Sequence, residues 1–494
     1  MTLNRRAFLK SAGLFALAQS GCAHLPGFSE RTLVNDVHAR INPTWVKRVV
    51  APDSLKSLQQ VVRNARRHRD AVSIAGGRHS MGAQQFGSDA VLVDTTKLNR
   101  ILNFDGATGV VETEAGIQWP QLLADLATKQ TGQPHSWGIA QKQTGADRLS
   151  LGGALASNIH GRGLRMKPFA ADVESLTVID ADGNLQVCDR RRNAELFHLI
   201  CGGYGLFGLV YSLKLRLTPR QKVRRVVEIK MLEELMPAFE KRIADGFLYG
   251  DFQFSIDEKT DDFLHRGIFS CYQPVTADTP MAAENKRLNS ENWMTLLMLA
   301  HTDRRRAFEE YARYYLSTSG QVYWSDTHQL SDYRDGYHQI LDRRSGATTP
   351  ATEIITEICA PRNQLTEFMR EAREDFLKHN VEIIYGTIRL IEPDNESFLA
   401  WAKQAYACIV FNIHTEHSPA GLLHSADAFR RLIDLAIRHD GSYYLTYHKY
   451  ATREQVLACY PQFPAFLKLK MKYDPEERFQ SDWYRHYRRM FFGR

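Results

Sequence analysis

The sequence is poor in the features that mark special classes of protein. Cysteine is scarce, seven in 494 residues, and none stands in a C-x-x-C pair, so spacing indicates neither a disulfide framework nor a thiolate metal knuckle. Six of them (Cys188, Cys201, Cys271, Cys359, Cys408 and Cys459) sit in mostly apolar surroundings such as "YACIVF", where buried thiols are the default. Charge of one sign is nowhere concentrated beyond the short runs "DRRRNA" and "DRRRAF". The net charge of +7 is thus a mild bias that would suit an anionic ligand but gives no footprint for nucleic acid. There is no internal repeat and no low-complexity tract, which argues against a solenoid or a disordered scaffold. What remains is an ordinary soluble composition, long enough for two or more domains.

The N-terminus is more specific. Its apolar stretch "SAGLFALAQSG" is too short to span a bilayer as a stable helix. Arg5 and Arg6, followed by Phe8 and Leu9, resemble a twin-arginine export signal, which implies a folded, exported and therefore periplasmic or otherwise extracytoplasmic protein. Two endings compete for this segment, residues 1–26. "ALA" at Ala16 to Ala18 suits peptidase cleavage, whereas "QSGC" suits a lipid anchor on Cys22.

From there the pattern is that of an α/β domain over residues 41–219. Asp53 or Ser54 caps a helix with Leu55, Leu58, Val61, Val62 and Ala65 at helical spacing. "AVSIA", "AVLVDTTKL" and "GVVETEAG" read as strands, and "WPQLLADLATKQ" as a helix with Pro120 in its first turn. "VESLTVIDADGNLQVC" reads as a hairpin turning at Asp182–Gly183. Gly203, Gly205 and Gly208 match G-x-G-x-x-G, but they follow a helix and precede a strand. That is the reverse of a Rossmann site, which excludes that fold. After Pro219 the texture changes. Residues 220–440 carry several strands of one extensive sheet with helices between them, an α+β domain. Residues 441–494 form a last segment that returns toward the first domain.

Two glycine clusters stand out: "IAGGRHSMGAQQF" and "TGADRLSLGGALASNIHGRG". Glycines so placed bring backbone N–H groups close to phosphate oxygens without an intervening Cβ. These stretches, with "GGYGLFGLVYSLKLRL" and the tail "KYDPEERFQSDWYR", resemble the FAD-binding domain of the vanillyl-alcohol-oxidase superfamily (PCMH type). Aldonolactone oxidases, alditol oxidases and cytokinin dehydrogenases belong to that superfamily. The resemblance runs from about Pro43 to Pro219 and implies a two-subdomain FAD-binding domain carrying a substrate domain with a large antiparallel sheet, α+β in class.

The resemblance further implies that His79, at the histidine position of the G-x-x-H-S turn, is joined to the flavin 8α-methyl; some relatives instead hold FAD without a bond. A neutral imidazole is a competent nucleophile for such a link. Gly76, Gly77, Arg78 and Ser80 would contact the diphosphate, and Gln84 the flavin. From the second cluster, Gly145, Gly152, Gly153, Ser157, Asn158, His160 and Gly161 fall where relatives contact the cofactor, as does Val210. "SWGIAQKQTGAD" has no cysteine for a second covalent link.

On the substrate side, strand alternation in "IIYGTIRLI" puts Tyr385, Thr387 and Arg389 on one face and Ile384, Ile388 and Leu390 on the other. Arg389 resembles the arginine of the glutamate-x-arginine pair in alditol-oxidase-like members, with Thr387 in place of the glutamate. His448 is the expected proton acceptor or substrate contact, with His414 a second candidate, and Trp137 is either a pocket wall or core. In "HTEHS", His414 and Glu416 would share a strand face opposite His417, so the three are not expected to chelate a metal together. The reading is an FAD-dependent oxidoreductase acting on a CH–OH group of a sugar, lactone, polyol or aromatic alcohol, with O2 or another acceptor taking the electrons. The alternatives are CH–NH oxidation or a noncatalytic exported flavin-binding protein.

Overall fold

The structure, a computed structural model, describes residues 31–133, 135–331 and 336–493. The expected export signal, with Arg5, Arg6 and Cys22, lies outside the described residues. Among the described residues no helix is long and apolar enough to cross a membrane.

A short antiparallel ribbon, β1 (Thr32–Val34) with β2 (Thr44–Val46), leads into three parallel strands. These are β3 (Arg48–Val50), β4 (Val72–Ala75) and β5 (Val91–Asp94), with β5 in the middle. The helix Leu55–His68 crosses between β3 and β4, as parallel pairing requires. Ser54 caps it in a reciprocal box with Ser57, and its Leu58, Val62 and Ala65 are buried, while Leu55 and Val61 are half-buried.

Next come β6 (Ile101–Asp105), β7 (Val110–Glu114), the short β8 (Trp137–Gly138), β9 (Val173–Ile179), β10 (Leu185–Asp189) and β11 (Leu209–Arg216). All but β8 form an antiparallel sheet in the order β10-β9-β11-β7-β6. The β9–β10 hairpin turns at Asp182–Gly183 as the sequence predicts, with Gly183 at φ 85°. β8 pairs instead with β12 (Thr218–Pro219).

The remaining strands are β13 (Lys222–Met231), β14 (Tyr249–Phe254), β15 (Arg266–Val275), β16 (Val322–Trp324), β17 (Ala351–Pro361), β18 (Ile383–Ile391), β19 (Tyr406–Glu416) and β20 (Ser442–Tyr443). They build one eight-stranded antiparallel sheet in the order β16-β13-β15-β14-β18-β19-β17-β20. In "SYYLTYHKYA" the strand is the two-residue edge strand β20. The helices Leu365–His379 and Pro419–Arg438 cover one face of this sheet; Ser290–Thr302 and Arg304–Ser317 cover part of the other.

The C-terminal helices return to the first domain. Gln480 N–H donates to Val72 O at 2.9 Å, Arg478 Nη1 donates to Asp70 O at 2.7 Å, and Ser88 Oγ donates to Asp482 Oδ2 at 2.8 Å. One continuous apolar core runs from the helix Leu151–Ser157 through β18 and β19 to Trp483. This is an α+β fold in which the N-terminal domain and the large sheet face each other.

Candidate active site

The two glycine clusters, distant in sequence, abut in space and line one cleft. Its walls include Gly76, Gly77, Arg78, His79, Ser80 and Gln84 from the first cluster, and Ser150, Gly152, Gly153 and Ser157 from the second. The third glycine loop joins them through Gly205 and Gly208, with Val210 beside it. The G-x-G-x-x-G run therefore serves the cleft from a helix-to-strand turn.

The glycines are there because no side chain fits. A Cβ on Gly76 would lie 2.0 Å from Ser150 Oγ, and one on Gly77 would lie 2.1 Å from the Arg148 backbone oxygen. Gly152 packs less tightly, a Cβ there lying 3.0 Å from Ala115, to whose oxygen it already donates its N–H at 2.7 Å. Gly152 thus closes the floor rather than offering a donor. Arg78 stands at φ 59° and reaches Asp94 Oδ2 at 3.0 Å, which holds the turn in shape. Gln84 ties it to the C-terminal segment: its Oε1 accepts from Gly82 N–H at 3.0 Å and its Nε2 donates to Thr446 O at 2.8 Å. A narrow, glycine-walled cleft of this kind fits an extended dinucleotide such as FAD.

His79 lies along this cleft. Burial, reinforced by His38 and Arg148, pushes its imidazole down to about 3. It is therefore neutral across the physiological range, the state a nucleophilic imidazole needs.

Beyond Ser157 the chain passes to a second, fully buried group of residues. His160 Nε2 lies 2.5 Å from Glu357 Oε1. Trp401 and Tyr444 pack their rings against His160 at centroid distances of 5.0 and 6.4 Å. Burial works against the Glu357 carboxylate, but His160, Arg389 and Tyr447 together hold it below the usual range. Arg389, on β18, is 7% exposed, and its Nε has no hydrogen-bond partner among the described residues. Lys142, entirely buried, pairs with Asp147 at 2.7 Å; burial and the nearby Arg162 and Arg389 lower its ammonium pKa. Thr387 Oγ1, Asp251 Oδ1, Gln253 Oε1 and His160 Nδ1 are likewise buried without hydrogen-bond partners. Register places Asp251, Gln253, Thr387, Arg389 and Glu357 on one face of the large sheet. Buried polar atoms are ordinarily paired, so this surface is suited to a hydroxyl-bearing ligand.

The sequence-predicted residues divide accordingly. Gly76, Gly77, Arg78, His79, Ser80, Gln84, Gly152, Gly153, Ser157 and Val210 line the cleft. Gly145 does not: it is exposed in a loop at φ 89°. Asn158 caps the helix Leu151–Ser157 at φ 48°, donates to Asp394 Oδ2 at 2.9 Å and accepts from Ala170 N–H at 2.8 Å, a structural tie. Gly161 is buried against the Lys142 backbone, 2.7 Å from where its Cβ would be. His160 leaves the cleft to join Glu357.

Of the expected substrate-side residues, Arg389 stands at this site and the two histidines do not. His448 is on the opposite face of the sheet. It stacks on Phe429 with centroids 4.3 Å apart and pairs with Thr356 Oγ1 at 3.1 Å. His414 shares the face of Arg389 but lies six residues along β19 from Cys408, the partner of Arg389, or about 20 Å away at strand rise. Trp137 is half-buried at the edge of the core and does not line the cleft; it packs over Gly109 with its Nε1 donating to Gly106 O at 2.8 Å. Glu357 and Lys142 were not singled out from sequence. An acidic residue inside the apolar strand "EIITEICAP" was the available signal for the first.

Comparison with known proteins agrees with this geometry. The family model described as "FAD binding domain" matches residues 46–189. L-gulonolactone oxidase of Bos taurus is 28% identical over 193 residues, 39% of this chain and 42% of that protein. L-gulono-1,4-lactone dehydrogenase of Mycobacterium tuberculosis is 24% identical over 441 residues, 88% of this chain and 95% of that protein. Cytokinin dehydrogenase 3 of Oryza sativa is 27% identical over 191 residues, 37% and 35% of the two chains. The matched stretch thus covers about two fifths of the bovine relative's length. The glycine cleft, the large antiparallel sheet facing it and these relatives together show an FAD-binding domain over residues 46–189 in a chain similar to the vanillyl-alcohol-oxidase superfamily.

Proposed function

We propose that this chain is an FAD-dependent oxidoreductase that takes hydride from a CH–OH carbon of a hydroxyl-rich substrate of the sugar or aldonolactone class. The observation that carries this reading is the buried His160–Glu357–Arg389 group on the sheet face opposite the glycine cleft. Bound FAD supplies the hydride acceptor. Gly76, Gly77, Ser80, Gly152, Gly153 and Val210 would hold it along the cleft, with His79 its covalent attachment point. Arg389 donates to a substrate oxygen. Glu357 fixes the His160 ring through Nε2, leaving Nδ1 to accept the hydroxyl proton, the division of labour of an oriented base. The polar lining favours a polyhydroxylated substrate over an aromatic alcohol. Relatives carry both oxidase and dehydrogenase names, so the acceptor is O2 or another oxidant. Export through the twin-arginine route, with cleavage or lipidation at Cys22, belongs to the same proposal and rests on the sequence of residues 1–26.

The test is colour and bleaching. The purified protein should be yellow, its denatured band should fluoresce as flavin, and His79→Ala should abolish that fluorescence. Anaerobic bleaching should occur with an aldonolactone or polyol and not with benzylic alcohols or amines. A colourless protein, or bleaching by amines alone, would overturn the proposal; flavin lost on denaturation would overturn the His79 link.

A further inference from the structure

A second cluster of metal-ligating side chains stands on the same sheet face as Glu357, about 13 Å along β17 at strand rise. Glu353 on β17 and His414 on β19 are register partners, and His301 reaches them from the end of the helix Ser290–Thr302. His301 Nε2 lies 3.2 Å from Glu353 Oε1, and His414 Nδ1 lies 3.9 Å from that same oxygen. The two imidazole rings meet edge to face with centroids 4.9 Å apart, and the three ligand atoms all fall within 4.8 Å of one another. Glu353 is 4% exposed and its other oxygen accepts from Tyr337 OH, so its orientation is fixed.

Two isolated histidine–glutamate ion pairs would account for these contacts only in part. Both imidazole nitrogens are directed at one oxygen of Glu353 rather than taking one each. The mutual closeness of all three ligand atoms is what a tetrahedral cation needs. With ligand bonds of about 2.0–2.1 Å, neighbouring ligand atoms sit about 3.3–3.4 Å apart, between the two observed separations. The remaining residues of "HTEHS" take no part, for His417 Nε2 pairs with Thr352 Oγ1 at 2.9 Å and Glu416 is exposed. The cluster thus draws on three separate elements. His301 also lines an open cavity of about 630 Å³, shared with Glu258, Asp303, Arg304 and Glu382, which gives a cation a route in.

We propose that His301, Glu353 and His414 form a site for a zinc-class divalent cation, its fourth position open to this cavity. Two imidazoles and one carboxylate select Zn2+ or Co2+ over Mg2+ or Ca2+, which prefer all-oxygen shells. Such an ion would fasten the helix Ser290–Thr302 to β17 and β19, clamping the helical cover onto the sheet. The proposal is independent of the flavin chemistry.

Untagged, chelator-stripped full-length protein titrated with Co2+ tests it. The expected result is one equivalent bound, with the intense visible absorption of tetrahedral Co2+, displaced by Zn2+, and a higher melting temperature with metal than without. His301→Ala and Glu353→Gln should each weaken binding at least 10-fold while retaining wild-type flavin content, which reports their folding. If His301→Ala fails to fold, His301→Gln replaces it under the same criterion. Absence of the tetrahedral spectrum in the wild type, or equal binding by the variants, overturns the site.

Discussion

His160 and Glu357, 197 positions apart in the chain, meet with Nε2 and Oε1 separated by 2.5 Å in a dry interior. One comes from the loop after the cleft's helix and the other from the middle of β17, so the pair exists only when the N-terminal domain and the large sheet are docked. A histidine oriented by a buried carboxylate, next to an arginine with an unmatched donor, is equipped to take a proton from a bound hydroxyl.

Glu357→Gln keeps the shape of that residue but removes its charge. Flavin content should be unchanged, while the rate of anaerobic bleaching by substrate should fall about 10²-fold or more, the size of a lost acid–base contribution. Rapid-mixing absorbance measures this directly, and an unchanged rate would remove Glu357 from the proposed chemistry.

Gly77→Ala should damage both stability and cofactor loading. Its Cβ meets a backbone oxygen at 2.1 Å, and backbone cannot swing aside as a side-chain end can. Overpacking of this kind costs about 1–3 kcal/mol. Flavin-to-protein absorbance ratio and melting temperature should fall together.

His448 gives a pH prediction with a definite sign. Burial, with help from Arg430, pushes its imidazole down to about 3, against an ordinary value near 6.5. In that window the unfolded chain binds a proton that the folded chain refuses. The stability involved is therefore complete above about pH 6.5 and declines as pH falls toward 3, by up to about 1.4 kcal/mol per pH unit. His448→Gln can keep the bond to Thr356 and has nothing to titrate. Denaturation midpoints measured from pH 7 to 4.5 should fall less steeply in that variant; parallel curves would refute the assignment.

Lys470 and Asp474 form a buried ion pair one helical turn apart. Asp474 also accepts backbone N–H bonds from Arg478 and Phe479, each at 2.8 Å, which shape the tail as it docks on β4. Lys470→Met leaves that carboxylate without its cation and should cost about 3–5 kcal/mol. Urea denaturation provides the measure.

The local elements were readable because each is set by neighbouring residues. The helix Leu55–His68 follows from its spacing and its Ser54 cap, and the β9–β10 hairpin from Asp182–Gly183. The glycine cluster around His79 was equally plain, since only a close approach of backbone explains two adjacent glycines there. Alternation in β18 put Arg389 on the correct face of its strand. It could not say which sheet face meets the other domain, nor that His448, in the loop after β20, stacks on Phe429 behind the sheet.

The sequence by itself determined the α/β beginning, the switch to a β-rich second half and the residues of the glycine cleft, because periodicity and turn chemistry act over a few residues. Only tertiary structure decided the rest. It alone joined His160 to Glu357, gathered Lys142 and Arg389 beside them, and brought His301 to Glu353 and His414. Those contacts depend on strand register and domain docking across tens to hundreds of positions, and no local pattern records how a buried charge will find its partner.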